Sequence, residues 1–348
     1  GGEGGAPQPI NADLNPLAVD EEAAFDHIGG LDDHIRSLKE SVFLPLTYPE
    51  VFKQLNVEAP RGVLFHGPPG TGKTMMARAL ANSCSQGERR ISFFMRKGAD
   101  CLSKFVGETE RQLRLLFEQA QRLQPSIIFF DEIDGLAPVR SSRQDYIHSS
   151  IVSTLLALMD GLDKRGSVVL IGATNRPDAV DPALRRPGRF DREFYFPLPD
   201  AASRGKILEI YTRDWKPPLS ERCLARAANA CAGFGGADMK ALCTEAALRA
   251  LRRTYPQVYT NNDRLKIDRS KVFVTEVDLD EAMAAVQCSS RRSRPSIGTS
   301  LPSAASSVLL PHLTETARKV AAVFPAAIPA LKRIEHSLRQ QRGESGGG

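Results

Sequence analysis

Between residues 25 and 287, short apolar runs alternate with longer stretches whose apolar residues recur at helical spacing. The runs Gly62-Val63-Leu64-Phe65, Ile91-Ser92-Phe93-Phe94, Ser126-Ile127-Ile128-Phe129-Phe130 and Ser167-Val168-Val169-Leu170-Ile171 have the continuous apolar character of strands buried on both faces. Stretches such as Met75 to Leu80 and Ile151 to Leu158 predict helices between them. The pattern predicts an α/β fold: a parallel five-stranded sheet with helices on both faces, then a smaller helical piece from about Ala201 to Val286.

Four regions follow. Residues 1–24 read as a flexible lead-in, 25–200 as the larger α/β unit and 201–288 as the smaller helical unit. Residues 289–348 read as a Ser/Pro/Arg-rich linker and a partly helical or disordered tail. A short helix is expected there from Leu313 to Phe324, ended by Pro325 and Pro329. The start Gly1-Gly2-Glu3, without an initiator methionine or a signal-like segment, predicts a fragment of a longer protein.

Composition narrows the classes. With 42% hydrophobic and 25% charged residues the chain is of ordinary soluble composition, and no apolar stretch approaches the ~18 residues of a membrane span. Its six cysteines form no Cys-x-x-Cys pair, which reads as reduced thiols in an intracellular protein. No His-Glu-x-x-His stretch occurs, which argues against a zinc protease module. Residues 289–348 hold nine Lys or Arg against three Glu, a balance of +6, so a chain of net charge +5 has a body near −1. The basic tail is either a weak nucleic-acid contact or a solubilising segment.

The chemistry starts where the first strand ends. Gly67-Pro68-Pro69-Gly70-Thr71-Gly72-Lys73-Thr74 is G-x-x-x-x-G-K-[ST] with a strand before it and a helix after it. Its glycines free the backbone so that N–H groups converge on one point, and the helix start favours an anion. A triphosphate is therefore expected along Pro69, Gly70, Thr71, Gly72, Lys73, Thr74 and Met75. Lys73 would reach the outer phosphates and the Thr74 hydroxyl would coordinate Mg²⁺.

A second strand ends in two acids, Asp131 and Glu132, with Asp131 58 residues after Lys73. Asp131 would complete the Mg²⁺ shell, and Glu132 would orient and deprotonate the attacking water. No Asn-Lys-x-Asp stretch for guanine occurs, so ATP is the expected nucleotide. Asn175, at the end of a further strand, is placed either to bond the water or γ-phosphate or to serve as a turn residue. The loop Leu184-Arg185-Arg186-Pro187-Gly188-Arg189-Phe190-Asp191-Arg192 is either a solvated basic loop or a source of guanidinium groups for phosphoryl transfer.

Together, FHGPPGTGKT, IIFFDEID, GATNR and ALRRPGRFDRE resemble a ring-forming AAA ATPase over about residues 25–287. The resemblance implies a P-loop α/β domain with a helical lid, and a ring, commonly of six subunits, that couples hydrolysis to pulling or remodelling a protein. It implies that Arg186 and Arg189 are fingers acting on a neighbour's ATP. It also implies that Ile28, Gly29 and Gly30 line the adenine pocket, which Gly236 and Ala237 close from the lid. Lys104, Phe105 and Val106 match the family's pore element, although Phe105 could instead be a core residue before a helix. Arg140, Arg143 and His148 match either a second pore loop or a solvated loop.

Longer stretches, FFMRKGADCLSKFVGETERQLRLLFEQA and GLAPVRSSRQDYIHSSIVSTLLALMDGLD among them, are similar to the first ATPase module of the bromodomain-containing AAA proteins of chromatin. That likeness implies a nuclear homo-oligomer acting on histones. Two other readings stand beside it: a chromatin scaffold in which ATP chiefly supports oligomerisation, and a nucleic-acid-dependent AAA motor.

Overall fold

The computed structural model describes residues 16–17, 24–57, 60, 62–85, 91–101, 107–139, 146–161, 167–259 and 267–289, with 315, 316 and 319 beyond. The chain divides into two units, Gly1–Ser293 and Arg294–Gly348. In the second, Glu315, Thr316 and Lys319 are helical and Glu315 pairs with Lys319 at 2.9 Å; the rest of the helix expected there lies outside the described residues.

The first unit opens with α1 (Asp32–Leu38), which continues through a π-helical turn into α2 (Leu44–Thr47), and then α3 (Pro49–Gln54). Strand β1 (Gly62–His66) follows, then α4 (Lys73–Cys84), β2 (Ser92–Lys97), α5 (Glu108–Arg122) and β3 (Ser126–Asp131). Next come α6 (Ile133–Leu136), α7 (Tyr146–Gly161), β4 (Val168–Thr174) and β5 (Arg192–Tyr195). The sheet order is β2-β3-β4-β1-β5, and every neighbouring pair is parallel. This is the five-stranded parallel sheet expected from the sequence, with the four apolar runs forming β1 to β4 and β5 added beside β1.

Strand geometry sends successive side chains to opposite faces, so each apolar run supplies two cores. Val63, Phe65, Phe93, Ile127, Phe129, Val169 and Ile171 pack on one face with Met76, Ala77 and Leu80 of α4 and Leu38 of α1. Leu64, Phe94, Ile128, Phe130 and Leu170 pack on the other with Leu113, Leu116 and Phe117 of α5 and Ile151 and Leu155 of α7. Each such side chain contributes roughly 1.5–3 kcal/mol of burial, enough to hold the strand ends rigidly where the polar residues sit. Of the two edge strands, β2 buries Phe93 and Phe94, whereas β5 is largely exposed.

A third apolar cluster joins α8 (Ala201–Thr212), α9 (Glu221–Ala230), α10 (Gly236–Thr254) and α11 (Glu276–Ala285). On α10 its members Met239, Leu242, Cys243 and Ala246 follow the three-and-four spacing of one helix face. Asp200, Ser220 and Thr275 cap α8, α9 and α11 by accepting from the N–H groups of Ser203, Cys223 and Asp278.

Two details refine the sequence reading. Leu17, inside the stretch read as a flexible lead-in, donates its N–H to the Phe93 carbonyl at 2.8 Å in an isolated antiparallel bridge on the β2 edge. All six cysteines are free and buried, and burial pushes the Cys84 and Cys243 thiols up to about 12 and Cys101 to about 11. These are packing residues held as thiols.

Candidate nucleotide-binding site

A cavity of about 680 Å³ lies at the carboxyl ends of β1, β3 and β4, the position where open parallel sheets hold ligands. The turn after β1 forms its floor. Gly70 has φ +73° and Gly72 φ +95°, left-handed conformations in which an L side chain is strained. Gly72 is also the N-cap of α4, and no side chain caps that helix. Its first-turn N–H groups are thus available to an anion.

Lys73 stands in this turn, 7% exposed. Its ammonium donates to the carbonyls of Gly67 at 2.9 Å and Pro68 at 2.7 Å. Among the described residues no carboxylate lies within ion-pair distance of it. Burial pulls its pKa down to about 8, opposed by the more distant charge of Asp131. A buried cation without a salt-bridge partner, beside an uncapped helix start, fits an anionic ligand: phosphate charge would restore what desolvation removes.

On the opposite wall, the Thr74 hydroxyl donates to Asp131 Oδ2 at 2.7 Å, joining the first turn of α4 to the end of β3. Asp131 Oδ1 accepts from the Glu132 N–H at 3.0 Å. Glu132 itself has φ +53° and ψ +47°, a left-handed conformation uncommon outside glycine, and its residue lines the cavity. Asn175 lines it from the end of β4. The preceding Thr174 is pinned there: its hydroxyl donates to Asp134 at 2.7 Å and accepts from the Arg176 N–H at 2.9 Å.

The far wall comes from the two helical regions. Ile28, Gly29 and Gly30 face Ser203 and Ile207 of α8; a Cβ on Gly30, which has φ +80°, would meet the Ser203 hydroxyl at 2.0 Å. Gly236 and Ala237, at the start of α10, close the cavity over the turn, and the Ala237 N–H donates to the Gly70 carbonyl at 3.1 Å. Lys206 of α8 pairs with Asp32 at 2.9 Å, and Arg213 donates to His27 Nε2 at 2.8 Å.

Residues 63–198 match the family "ATPase family associated with various cellular activities (AAA)", and residues 224–264 match "AAA+ lid domain". The chain belongs to the AAA ATPases. It is 62% identical over 90% of its length to the "ATPase histone chaperone YTA7" of Saccharomyces cerevisiae, of which it covers 23%. It is 68% identical over 74% of its length to the "ATPase histone chaperone abo1" of Schizosaccharomyces pombe, covering 22% of that protein. With the "ATPase with bromodomain protein abo2" of the same yeast it shares 64% identity over 80% of its length and 23% of the relative's. The chain therefore spans less than a quarter of these relatives.

Within this AAA domain the structure brings together Ile28, Gly29, Gly30, Pro69, Gly70, Thr71, Gly72, Lys73, Thr74, Met75, Asp131, Glu132, Asn175, Gly236 and Ala237. Arg186 and Arg189 do not line the cavity. Arg186 is exposed and, among the described residues, its guanidinium has no partner, while its carbonyl accepts from the Arg189 N–H at 3.2 Å. Arg189 is held by Asp160 of α7 at 2.9 and 3.0 Å and by the Ala183 carbonyl at 2.6 Å, while Arg185 grips Glu193 at 2.6 and 2.8 Å. Lys104, Phe105, Val106, Arg140 and Arg143 lie outside the described residues, as does the side chain of His148.

Sequence reasoning missed the α8 wall of Ser203, Ile207, Ile210 and Tyr211, and Lys240 of α10. Helix α8 shows almost no contrast between apolar and polar faces along its sequence, so no local pattern marks these residues. Only the folded juxtaposition of α8 with Gly29 and Gly30 turns the α8 residues towards a ligand.

Proposed function

We propose that this chain is the ATP-hydrolysing module of a ring-forming AAA protein that remodels histones by drawing them through a central pore. Residues 25–200 act as the nucleotide-binding subdomain and 201–288 as its lid. The observation that carries the enzymatic part is the convergence of Lys73, the Thr74–Asp131 pair and Glu132 on one cavity.

The adenine would lie between Ile28–Gly30 and Gly236–Ala237, with the phosphates along the turn from Pro69 to Thr74. Thr74 and Asp131 would hold Mg²⁺. Among the described residues no three His, Cys, Asp or Glu side chains form an all-protein cage, which suits a metal held by few side chains together with phosphate oxygens. Held there, the metal would supply positive charge against the phosphate oxygens during transfer. Glu132 takes a proton from water as that oxygen bonds to the γ-phosphorus and the bridging bond to the β-phosphate breaks, giving ADP and phosphate. Asn175 orients the water or the γ-phosphate. Lys73 stays protonated against the transferring group.

Arg186 and Arg189 lie off this chain's own cavity, which suits fingers that complete a neighbour's site in a hexameric ring. Guanidinium groups of this kind contribute roughly 10³–10⁵ in rate. Phe105, flanked by Lys104 and Val106, grips the substrate. Histones are the proposed substrate because two of the relatives above are named histone chaperones, and a nuclear location follows from that substrate. No described helix is long and apolar enough to cross a membrane.

The test is a substrate trap. Glu132→Gln protein loaded with ATP in nuclear extract should retain core histones that Lys73→Ala protein does not. Equal recovery from both would remove ATP-gated histone capture from this reading and leave a scaffold role in its place.

A further inference from the structure

The last described residues of the first unit fold back onto the nucleotide cavity's rim. Asp238, the third residue of α10, is 6% exposed and uses both carboxylate oxygens. Oδ2 accepts from the Gly235 N–H at 3.0 Å, closing the helix start. Oδ1 accepts from the Ser289 hydroxyl, and the Ser289 N–H donates to the two oxygens at 3.2 Å each. One residue earlier, the Cys288 thiol donates to the Gly233 carbonyl at 2.8 Å. Residues 288 and 289 therefore grip both ends of the turn from Gly233 to Asp238.

The other side of that turn touches the phosphate loop. The Ala237 N–H bonds the Gly70 carbonyl at 3.1 Å, and a Cβ placed on Gly70 would stand 2.9 Å from the Ala237 Cβ. The start of α10 is thus packed against the loop with no slack. An N-terminal helix turn needs one capping oxygen; the second oxygen of Asp238 is spent on Ser289, which is 51 residues away in sequence.

We propose that Ser289 is a positioning residue for the nucleotide: through Asp238 it fixes Gly236 and Ala237 against Gly70, and so couples nucleotide binding to the chain that leaves the lid. This rests on the cavity being the ATP site. Hydrogen bonds to a charged acceptor are among the stronger ones in folded proteins. Losing the hydroxyl bond while keeping the N–H bonds should therefore loosen the rim without unfolding the lid. Coupling is reciprocal, so nucleotide must tighten the Ser289 contacts by the factor with which those contacts tighten nucleotide. A pull or a partner acting beyond Ser289 would reach the phosphates by the same route.

The experiment uses the whole chain and ATPγS as the probe. Ser289→Ala should raise the dissociation constant about fivefold, with KM for ATP rising in step and kcat within twofold of wild type. Ser289→Thr, which keeps the hydroxyl, should restore binding to within twofold. In the unsubstituted chain, ATPγS should slow hydrogen exchange at the Ser289 amide. Wild-type affinity in Ser289→Ala, or Ser289 exchange indifferent to nucleotide, overturns the proposal even if ATPγS binds. If the unsubstituted chain binds ATPγS no better than Lys73→Ala, the assignment of the cavity itself fails and takes this coupling with it.

Discussion

The Thr74 hydroxyl and the Asp131 carboxylate, 57 residues apart in sequence, meet at 2.7 Å. Neither is remarkable by itself; a helix start and a strand end are common places for a hydroxyl and an acid. Their bond brings together the two side-chain groups that, under the proposed function, would hold Mg²⁺. Thr74→Ala removes one of those oxygens and leaves the buried apolar framework intact. Its ATP hydrolysis should fall about 100-fold, in the range seen when a single stabilising group is lost from a transition state. Its melting temperature should stay within a few degrees, and excess Mg²⁺ should recover part of the rate. A variant that hydrolyses ATP normally would remove Thr74 from the metal site.

Lys73 supplies a prediction in pH. Its folded pKa is depressed to about 8 by burial, so between about 8 and its ordinary value of 10.5 the folded chain holds fewer protons than the unfolded one. In that window the contribution of Lys73 to stability rises with pH; below about 8 both states are protonated and the contribution is flat. Phosphate beside the ammonium pulls its pKa back up. Nucleotide binding should therefore take up a proton near pH 8.5, and affinity should decline as pH rises through about 8. Calorimetry in two buffers of different ionisation enthalpy measures that uptake, which should be lost at a pH well below about 8, where Lys73 is protonated before and after binding.

The parts legible in the sequence were those with a local cause. Buried parallel strands announce themselves as continuous apolar runs, and the two-core packing of Val63 and Phe65 against Leu64 follows from the pleat alone. The turn at Gly70 and Gly72 needs left-handed backbone, which its glycines declare. The parts not legible depend on distant neighbours. Edge strand β5, Arg192-Glu193-Phe194-Tyr195, has no apolar run because one side of it faces solvent. Gly30 is required by Ser203, and Leu17 pairs with Phe93, through contacts that no local pattern encodes.

The arginine loop divides its labour in a testable way. Arg189 is tethered by Asp160 within its own chain, Arg186 is exposed, and neither lines this chain's own cavity. Arg189→Ala should lower ATP turnover at least 100-fold while ATP affinity stays within threefold of normal. Lys73→Ala has a dead cavity but intact arginines. Mixing the two inactive proteins should therefore recover part of the activity, because intact fingers would then meet intact cavities. A mixture as inactive as its components would count against action between subunits. Arg189→Lys should not rescue, since an ammonium cannot reproduce the planar, multi-donor contact of a guanidinium with a transferring phosphoryl group.

Glu132 sits where backbone and chemistry ask for different residues. At φ +53° a side chain with a Cβ costs about 1 kcal/mol relative to glycine, before glycine's greater freedom in the unfolded chain is counted. Glu132→Ala and Glu132→Gly both delete the carboxylate, so both should abolish hydrolysis while retaining ATP. Their stabilities should differ in the direction set by the backbone. The glycine variant should be more stable than the alanine variant, by up to about 1 kcal/mol in denaturant unfolding, the reverse of the order for an ordinary helix position. Equal stabilities would mean that the left-handed cost and glycine's unfolded-state freedom cancel, whereas an alanine variant more stable than the glycine one would mean that residue 132 relaxes out of the left-handed region once its carboxylate is gone. In that case the side chain, through its place beside Asp131, holds the strained turn rather than merely tolerating it.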